Sequence, residues 1–337
     1  MAPPFGSRRR WLRALKMTLC LCFLIPMAAG IRNTNTIFGQ KQKLDVQQQL
    51  KFLNKPALKS IKSPDGDIID CVHINKQPAF DPPFLKNHTI QMRPSFHPER
   101  LSFDESKDVS SKSKSKITQL WHLNGRCPEG TIPIKRTKEE DLLRASSVAT
   151  YGRKKHPHYT LTHALVYVEG DKYYGAKATI NAWKPQIQEH DEFSSSQILI
   201  LGDVSGVGVN TIEAGWQDPK GGNWWLQVGD KYLLGYWPAS LFLSMFDSAS
   251  EIHWGGEVIN SQQGGEHTST QMGSGCFPDE GYSRASYFKN FQIVDGSNIL
   301  RAPKNSSTLV EKPKCCNVIN LGSLFYYGGP GRNPDCP

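Results

Sequence analysis

The second half of the chain is a succession of short runs in which apolar and polar residues alternate. HALVYVEG (163–170), KYYGAKATINAW (172–183), SQILILGD (196–203), NTIEAGW (210–216), NWWLQVGDKYLLGYW (223–237), EIHWGGEVIN (251–260) and SYFKNFQIVD (286–295) are rich in β-branched and aromatic residues, and Gly, Pro and Asp separate them. Such runs predict strands. Gly170-Asp171 and Gly229-Asp230 predict tight hairpin turns. PASLFLSMF (238–246) predicts one short helix. Closely spaced strands without intervening helices pair antiparallel, so the predicted fold is all-β, an antiparallel β-sandwich. No internal repeat is visible.

The first half has a different texture. Residues 31–69 are polar, with a helical pattern from Gln40 to Leu53. From Asp70 to Arg100 the density of proline excludes helices and central strands and predicts irregular chain laid on another surface. Residues 101–118 are Ser/Lys-rich, and a segment around Cys127 with the charged run Lys135–Arg144 closes this half. Lys135-Arg136 and Arg153-Lys154-Lys155 are candidate processing points. The expected organisation is a leader (1–30), a mostly irregular front segment (31–150) and a β-sandwich body (151–337).

Composition refines this picture. The 337 residues carry 40 Lys/Arg and 31 Asp/Glu, but residues 151–337 hold 15 and 18 of these, so the positive excess lies in the front half. Its stretches, such as Ser111-Lys112-Ser113-Lys114, have the pattern of solvated linker, and no nucleic-acid partner is expected. Arg8, Arg9, Arg10, Arg13 and Lys16 precede the apolar run Met17–Met27 and the small residues Ala28-Ala29-Gly30. This is a secretory leader, shorter than the roughly 20 residues that span a bilayer. A secreted protein (extracellular, cell-wall or vacuolar) with no membrane anchor after leader removal is expected. Six cysteines then remain, Cys71, Cys127, Cys276, Cys315, Cys316 and Cys336, an even number that suits disulfides in an oxidising compartment. Asn87-His88-Thr89 and Asn305-Ser306-Ser307 are glycosylation sequons.

Two glutamates stand out. In a strand, Glu213 shares a face with Thr211 and Gly215, opposite Ile212, Ala214 and Trp216. Glu257 shares a face with His253, Gly255 and Ile259, opposite Trp254, Gly256 and Val258. Each has a glycine two residues away on its own face, which suits close approach of a peptide to the backbone. Two converging carboxylates split their titration: one stays ionised and can take a proton from water, and the other stays protonated and can polarise a carbonyl. No HExxH, GxSxG or metal-ligand spacing is present, so no metal and no cofactor are expected. Of the adjacent Trp224 and Trp225, alternation places one in the core and the other at the surface.

The motifs QPAFDPPFLKNHTIQMRPSFHPE, CPEGTIPIKRT (127–137), NTIEAGWQ (210–217), GNWWLQVGDKYLLGYWP (222–238), WGGEV (254–258), TQMGSG (270–275) and YYGGPGRNPDCP (326–337) together resemble the plant neprosin family. The resemblance implies a secreted glutamic endopeptidase that favours proline, made as a zymogen with an N-terminal activation propeptide before a β-sandwich peptidase domain. It implies Glu213 and Glu257 as the catalytic pair. Gln271 is the candidate oxyanion contact, and Trp216 and Tyr236 are candidates for a proline subsite. The implied partners are a proline-containing peptide or protein and the chain's own propeptide, with the protein a monomer. In the family pattern further strands and a cysteine pair separate GWQ from the stretch before GNWW, whereas here Gln217 runs directly into Asp218-Pro219-Lys220. Several tens of residues are thus expected to be missing, and a catalytically inactive wall or carbohydrate-binding isoform is the alternative. Cys276 stands where the family often has a polar residue, and its pairing with Cys315 or Cys316, leaving Cys336 to the other, is the expected novelty.

Overall fold

The alternating runs fold as strands of two packed sheets, and a smaller sheet forms in the front segment. The computed structural model describes residues 45–100, 119–144, 160–189, 191–202, 210–212, 215–229, 232–242, 244–262 and 266–337; the expected leader, 1–30, lies outside them. Among these residues one five-stranded sheet takes β5 (Thr160–Tyr173), β7 (Ser194–Gly202), β8 (Asn210–Ile212), β12 (Ala249–Asn260) and β15 (Ser307–Val310), in the order β15-β5-β12-β7-β8. The nine-stranded sheet contains β3 (Glu99–Arg100), β6 (Gly175–Ile180), β9 (Gly215–Gln217), β10 (Trp224–Val228), β11 (Tyr232–Trp237), β13 (Ser286–Val294), β14 (Ile299–Arg301), β16 (Asn317–Asn320) and β17 (Leu324–Gly328). Its main path is β11-β10-β9-β6-β13-β14-β3, and β17 joins β16 to β13. Pairing is antiparallel except between β14 and β3.

Core residues come from both sheets. Ile252, Trp254 and Val258 of β12 share one buried cluster with Trp224, Phe288 and Phe325 of the second sheet, and the rings of Trp254 and Phe291 lie 5.3 Å apart. Each such side chain withdrawn from water contributes about 1.5–3 kcal/mol. The alternation predicted for β12 is therefore the one seen: its even-numbered residues face the core and Glu257 faces away.

Several expectations are corrected. Gly170-Asp171 is not a hairpin turn. Tyr173 pairs with Ala249 and Glu169 with Glu251, so residues 170–172 form a bulge within one continuous β5, with Gly170 at φ +84°. The following strand, β6, belongs to the other sheet. NTIEAGW is likewise split: β8 pairs with β7 and β9 with β6 and β10, so one face parity cannot run from Ile212 to Trp216. Among its described residues PASLFLSMF holds only a 3₁₀ turn, Ala239–Leu241, after which Phe242 is extended. The carbonyls of Met245 and Phe246 accept from Trp224 Nε1 (3.2 Å) and Gln217 Nε2 (2.8 Å), tertiary partners that replace helical ones. Trp224 and Trp225 are both fully buried, because Trp216, Leu233 and Tyr236 cover the second face of β10.

The front segment is more ordered than its composition predicts. A helix at 45–53 precedes a three-stranded antiparallel sheet of β1 (Ala57–Lys62), β2 (Ile68–His73) and β4 (Thr131–Lys135). Ile61, Ile69, Cys71 and Trp121 form its small core, and the Cys71–Cys127 disulfide ties it. Arg136 forks onto Asp70 (2.6 and 2.7 Å).

Cys315 bonds Cys336, while Cys276 and Cys316 are free thiols, so the expected pairing of Cys276 does not form. Burial pushes the Cys316 thiol up to about 12. Alkylation of the unfolded, unreduced protein is expected to label Cys276 and Cys316 and to spare Cys71, Cys127, Cys315 and Cys336, as peptide mapping would report. Both sequon asparagines, Asn87 and Asn305, are exposed.

Candidate functional site

Glu257 sits mid-strand in β12, on the face turned away from the core. Its position follows from register. His163 of β5 lies opposite it on one side and Ser195 of β7 on the other. The side chain is buried all the same. Gln197 Nε2 donates to its Oε2 at 2.9 Å, and His163 Nε2 stands 3.3 Å from the same oxygen. The other ring nitrogen of His163 lies 3.0 Å from Glu311 Oε1, and the His163 backbone N–H donates to Glu311 Oε2 at 2.6 Å. A row of Glu311, His163, Glu257 and Gln197 thus runs across the sheet. Burial opposes charge on His163, but its bonds to Glu257 and Glu311 outweigh burial and raise its pKa to about 9. Burial opposes charge on Glu311 too, yet the His163 contact holds its carboxyl below the usual range.

Gly255, two residues before Glu257, has φ +151°, and a side chain there would meet the Ala164 carbonyl oxygen at 2.3 Å. The glycine is required by the close approach of β5 rather than by a ligand.

A second cluster forms on the outer face of the nine-stranded sheet. Trp216 (β9), Trp225 (β10) and Tyr236 (β11) pack together, and the front segment lies on them. Trp216 Nε1 donates to the Phe96 carbonyl (3.2 Å), and the Trp216 and His97 rings are 5.4 Å apart. The Tyr236 hydroxyl accepts from Gln91 N (2.9 Å) and bonds His88 Nε2 (2.6 Å). Asp218, fully buried, accepts from Ser95 N (2.7 Å), Ser95 Oγ, Gln91 Nε2 (2.8 Å) and Lys220 N (3.2 Å). Burial raises its pKa, and these donors more than reverse that, leaving the carboxyl below its ordinary 3.8.

The sequence-predicted residues are therefore distributed. Trp216 and Tyr236 come together, on a different sheet from Glu257. Gln271 accepts from Gln186 N (3.0 Å) and donates its own N–H to the Gln186 carbonyl (2.9 Å). Glu213 lies outside the described residues, directly after β8. Sequence reading did not find His163, Gln197, Glu311 or Asp218. A histidine on the polar face of a predicted strand was the available signal for His163, but its partners depend on register.

Two family models match the chain: the neprosin activation peptide over residues 60–176 and the neprosin domain over 216–330. The chain belongs to the neprosin family. It carries that family's zymogen organisation, an activation peptide followed by a peptidase-type domain. Glu257, Gln271, Trp216 and Tyr236 fall inside the neprosin-domain match, and Glu213 falls between the two matches. The activation-peptide match continues through all of β5 into β6, so His163 belongs to it in sequence while pairing with β12 in space.

Proposed function

We propose that the protein is a secreted glutamic endopeptidase, made as a zymogen, that hydrolyses peptide bonds at proline. The observation that carries this reading is the buried carboxylate of Glu257, held between a histidine and a glutamine on a sheet face in a chain of this family. A carboxylate withdrawn from water with fixed partners is placed for proton transfer rather than for solubility. In the proposed reaction Glu213 and Glu257 act as a pair. One takes a proton from water as the water oxygen bonds to the carbonyl carbon, and the other hydrogen-bonds the carbonyl oxygen. The C–N bond then breaks, and the leaving nitrogen takes up the proton drawn from water.

The front segment is the proposed inhibitor, and Trp216, Asp218 and Tyr236 hold it. The acid-treated, full-length protein is expected to cleave a proline-containing peptide and to leave its alanine counterpart largely intact, with Glu213→Gln reducing cleavage by about 10²–10⁴-fold. Equal rates for the parent chain and Glu213→Gln would remove Glu213 from the mechanism. The direct run of Gln217 into Asp218 favours one second reading, an inactive isoform that binds wall polysaccharide. Retention on a polysaccharide column with no cleavage of any peptide would select it.

A further inference from the structure

His163 is a charged group that the two-glutamate reading leaves unused. It stands on β5 between β12 and β15, and it contacts a carboxylate on each side. β15 ends at Val310, opposite Ala164. The next backbone donor of β5, His163 N–H, is taken by the Glu311 side chain at 2.6 Å, and the same carboxylate reaches Nδ1 at 3.0 Å. Glu311 thereby fixes the ring on two points and leaves Nε2 aimed at Glu257 Oε2, 3.3 Å away. Gln197, from the far side of β12, donates to that same oxygen.

We propose that His163, braced by Glu311, is a positioning residue that keeps Glu257 ionised and makes Glu257 the member of the pair that takes the proton from water. The inference rests on the reading that Glu257 reacts, and adds which role it has. An imidazolium beside a buried carboxylate favours the ionised form, because the attraction is strong where water is scarce. Gln197 works in the same direction, since an amide N–H bonds a carboxylate better than a carboxylic acid. A base for a reaction run in acid must stay unprotonated there, and a neighbouring fixed cation is a way to achieve that. Among the described residues, the charged groups facing His163 are Glu257 from β12 and Glu311 after β15; β7 offers neutral Gln197 and Ser195. Glu251 and His253 on β12 and Glu169 on β5 lie at least four residues further along the strands and make their own contacts, His253 with Glu251. The high pKa of His163 agrees with this geometry. In the step itself Glu257 gains one proton from water as the carbon–oxygen bond forms, and returns it to the nitrogen as the carbon–nitrogen bond breaks.

The test is the pH dependence of kcat/KM on a proline-containing peptide, measured on acid-treated full-length protein. His163→Gln is expected to move the acid limb up by about one unit, a tenfold loss of rate on that limb, with the plateau within a few-fold of the parent. Glu311→Gln is expected to move it in the same direction by less, and His163→Arg, which keeps a cation, to leave it in place. A limb unmoved in His163→Gln, with Glu257→Gln inactive, overturns the proposal while sparing the role of Glu257. A fully active Glu257→Gln instead removes the reading beneath it, and a parent chain that cleaves nothing removes both. Should His163→Gln fail to fold, imidazole NMR on the parent decides: titration of His163 near its ordinary 6.5 overturns the proposal, and titration well above it that falls in Glu311→Gln supports it.

Discussion

Replacing Glu257 with glutamine is expected to lower kcat/KM for a proline-containing peptide by about 10²–10⁴-fold while leaving the fold in place. The amide matches the carboxylate in shape and can still bond Gln197 and His163. It cannot accept a proton from water, so the loss should fall on kcat rather than on KM. The substitution also takes one carboxylate from His163, whose ring then relies on Glu311 alone. The sandwich should tolerate this, because the core contacts of β12 are made from its other face by Ile252, Trp254 and Val258. Equal kcat/KM for variant and parent, with equal melting temperatures, would remove Glu257 from the chemistry.

Asp218→Ala is expected to loosen the front segment from the sandwich at neutral pH. The carboxylate collects three hydrogen bonds from Gln91 and Ser95 in a fully buried position. Removing it strands those donors, at a cost of about 2–5 kcal/mol. That corresponds to roughly 30- to 5,000-fold in the population of the detached segment. Amide exchange of Gln91 and Ser95 reports this directly, and protection equal to the parent would count against the clamp. The same group sets the pH dependence of the clamp. Its carboxyl lies below 3.8 in the folded protein, so its contribution is complete above that value. It is lost only as pH falls through the still lower folded pKa. Acid treatment must therefore go below 3.8 to release this clamp.

The fold was legible where a local pattern decides it. The parity of β12 is written in His253-Trp254-Gly255-Gly256-Glu257, since one face is apolar and the other is not. Interruptions were misplaced because they depend on tertiary partners: Gly170 forms a bulge only because β12 continues beside it, and residues 238–246 give up helical bonds to Trp224 and Gln217. The front sheet was missed because its few apolar residues, Ile61, Ile69 and Trp121, are scattered and a disulfide completes their small core. Glu257 could be singled out from strand context. Its neighbours could not, because His163, Gln197 and Glu311 come from three other parts of the chain that only register aligns. Asp218 escaped notice for a similar reason: most of its donors, from Gln91 and Ser95, lie more than a hundred residues upstream.

Strand β5 separates what is inherited together from what can be discarded. It falls within the activation-peptide match, yet β12 and β15 hydrogen-bond along it. A maturation nick downstream of Thr160 would extract a central plank of the sandwich and take His163 with it. Lys135-Arg136 satisfies the limit by position, but it closes the last strand of the front sheet, where Arg136 is forked onto Asp70. Arg153-Lys154-Lys155 also precedes Thr160 and lies outside the described residues, so a trypsin-like convertase cutting there would leave a mature chain that begins with the last part of the activation-peptide match.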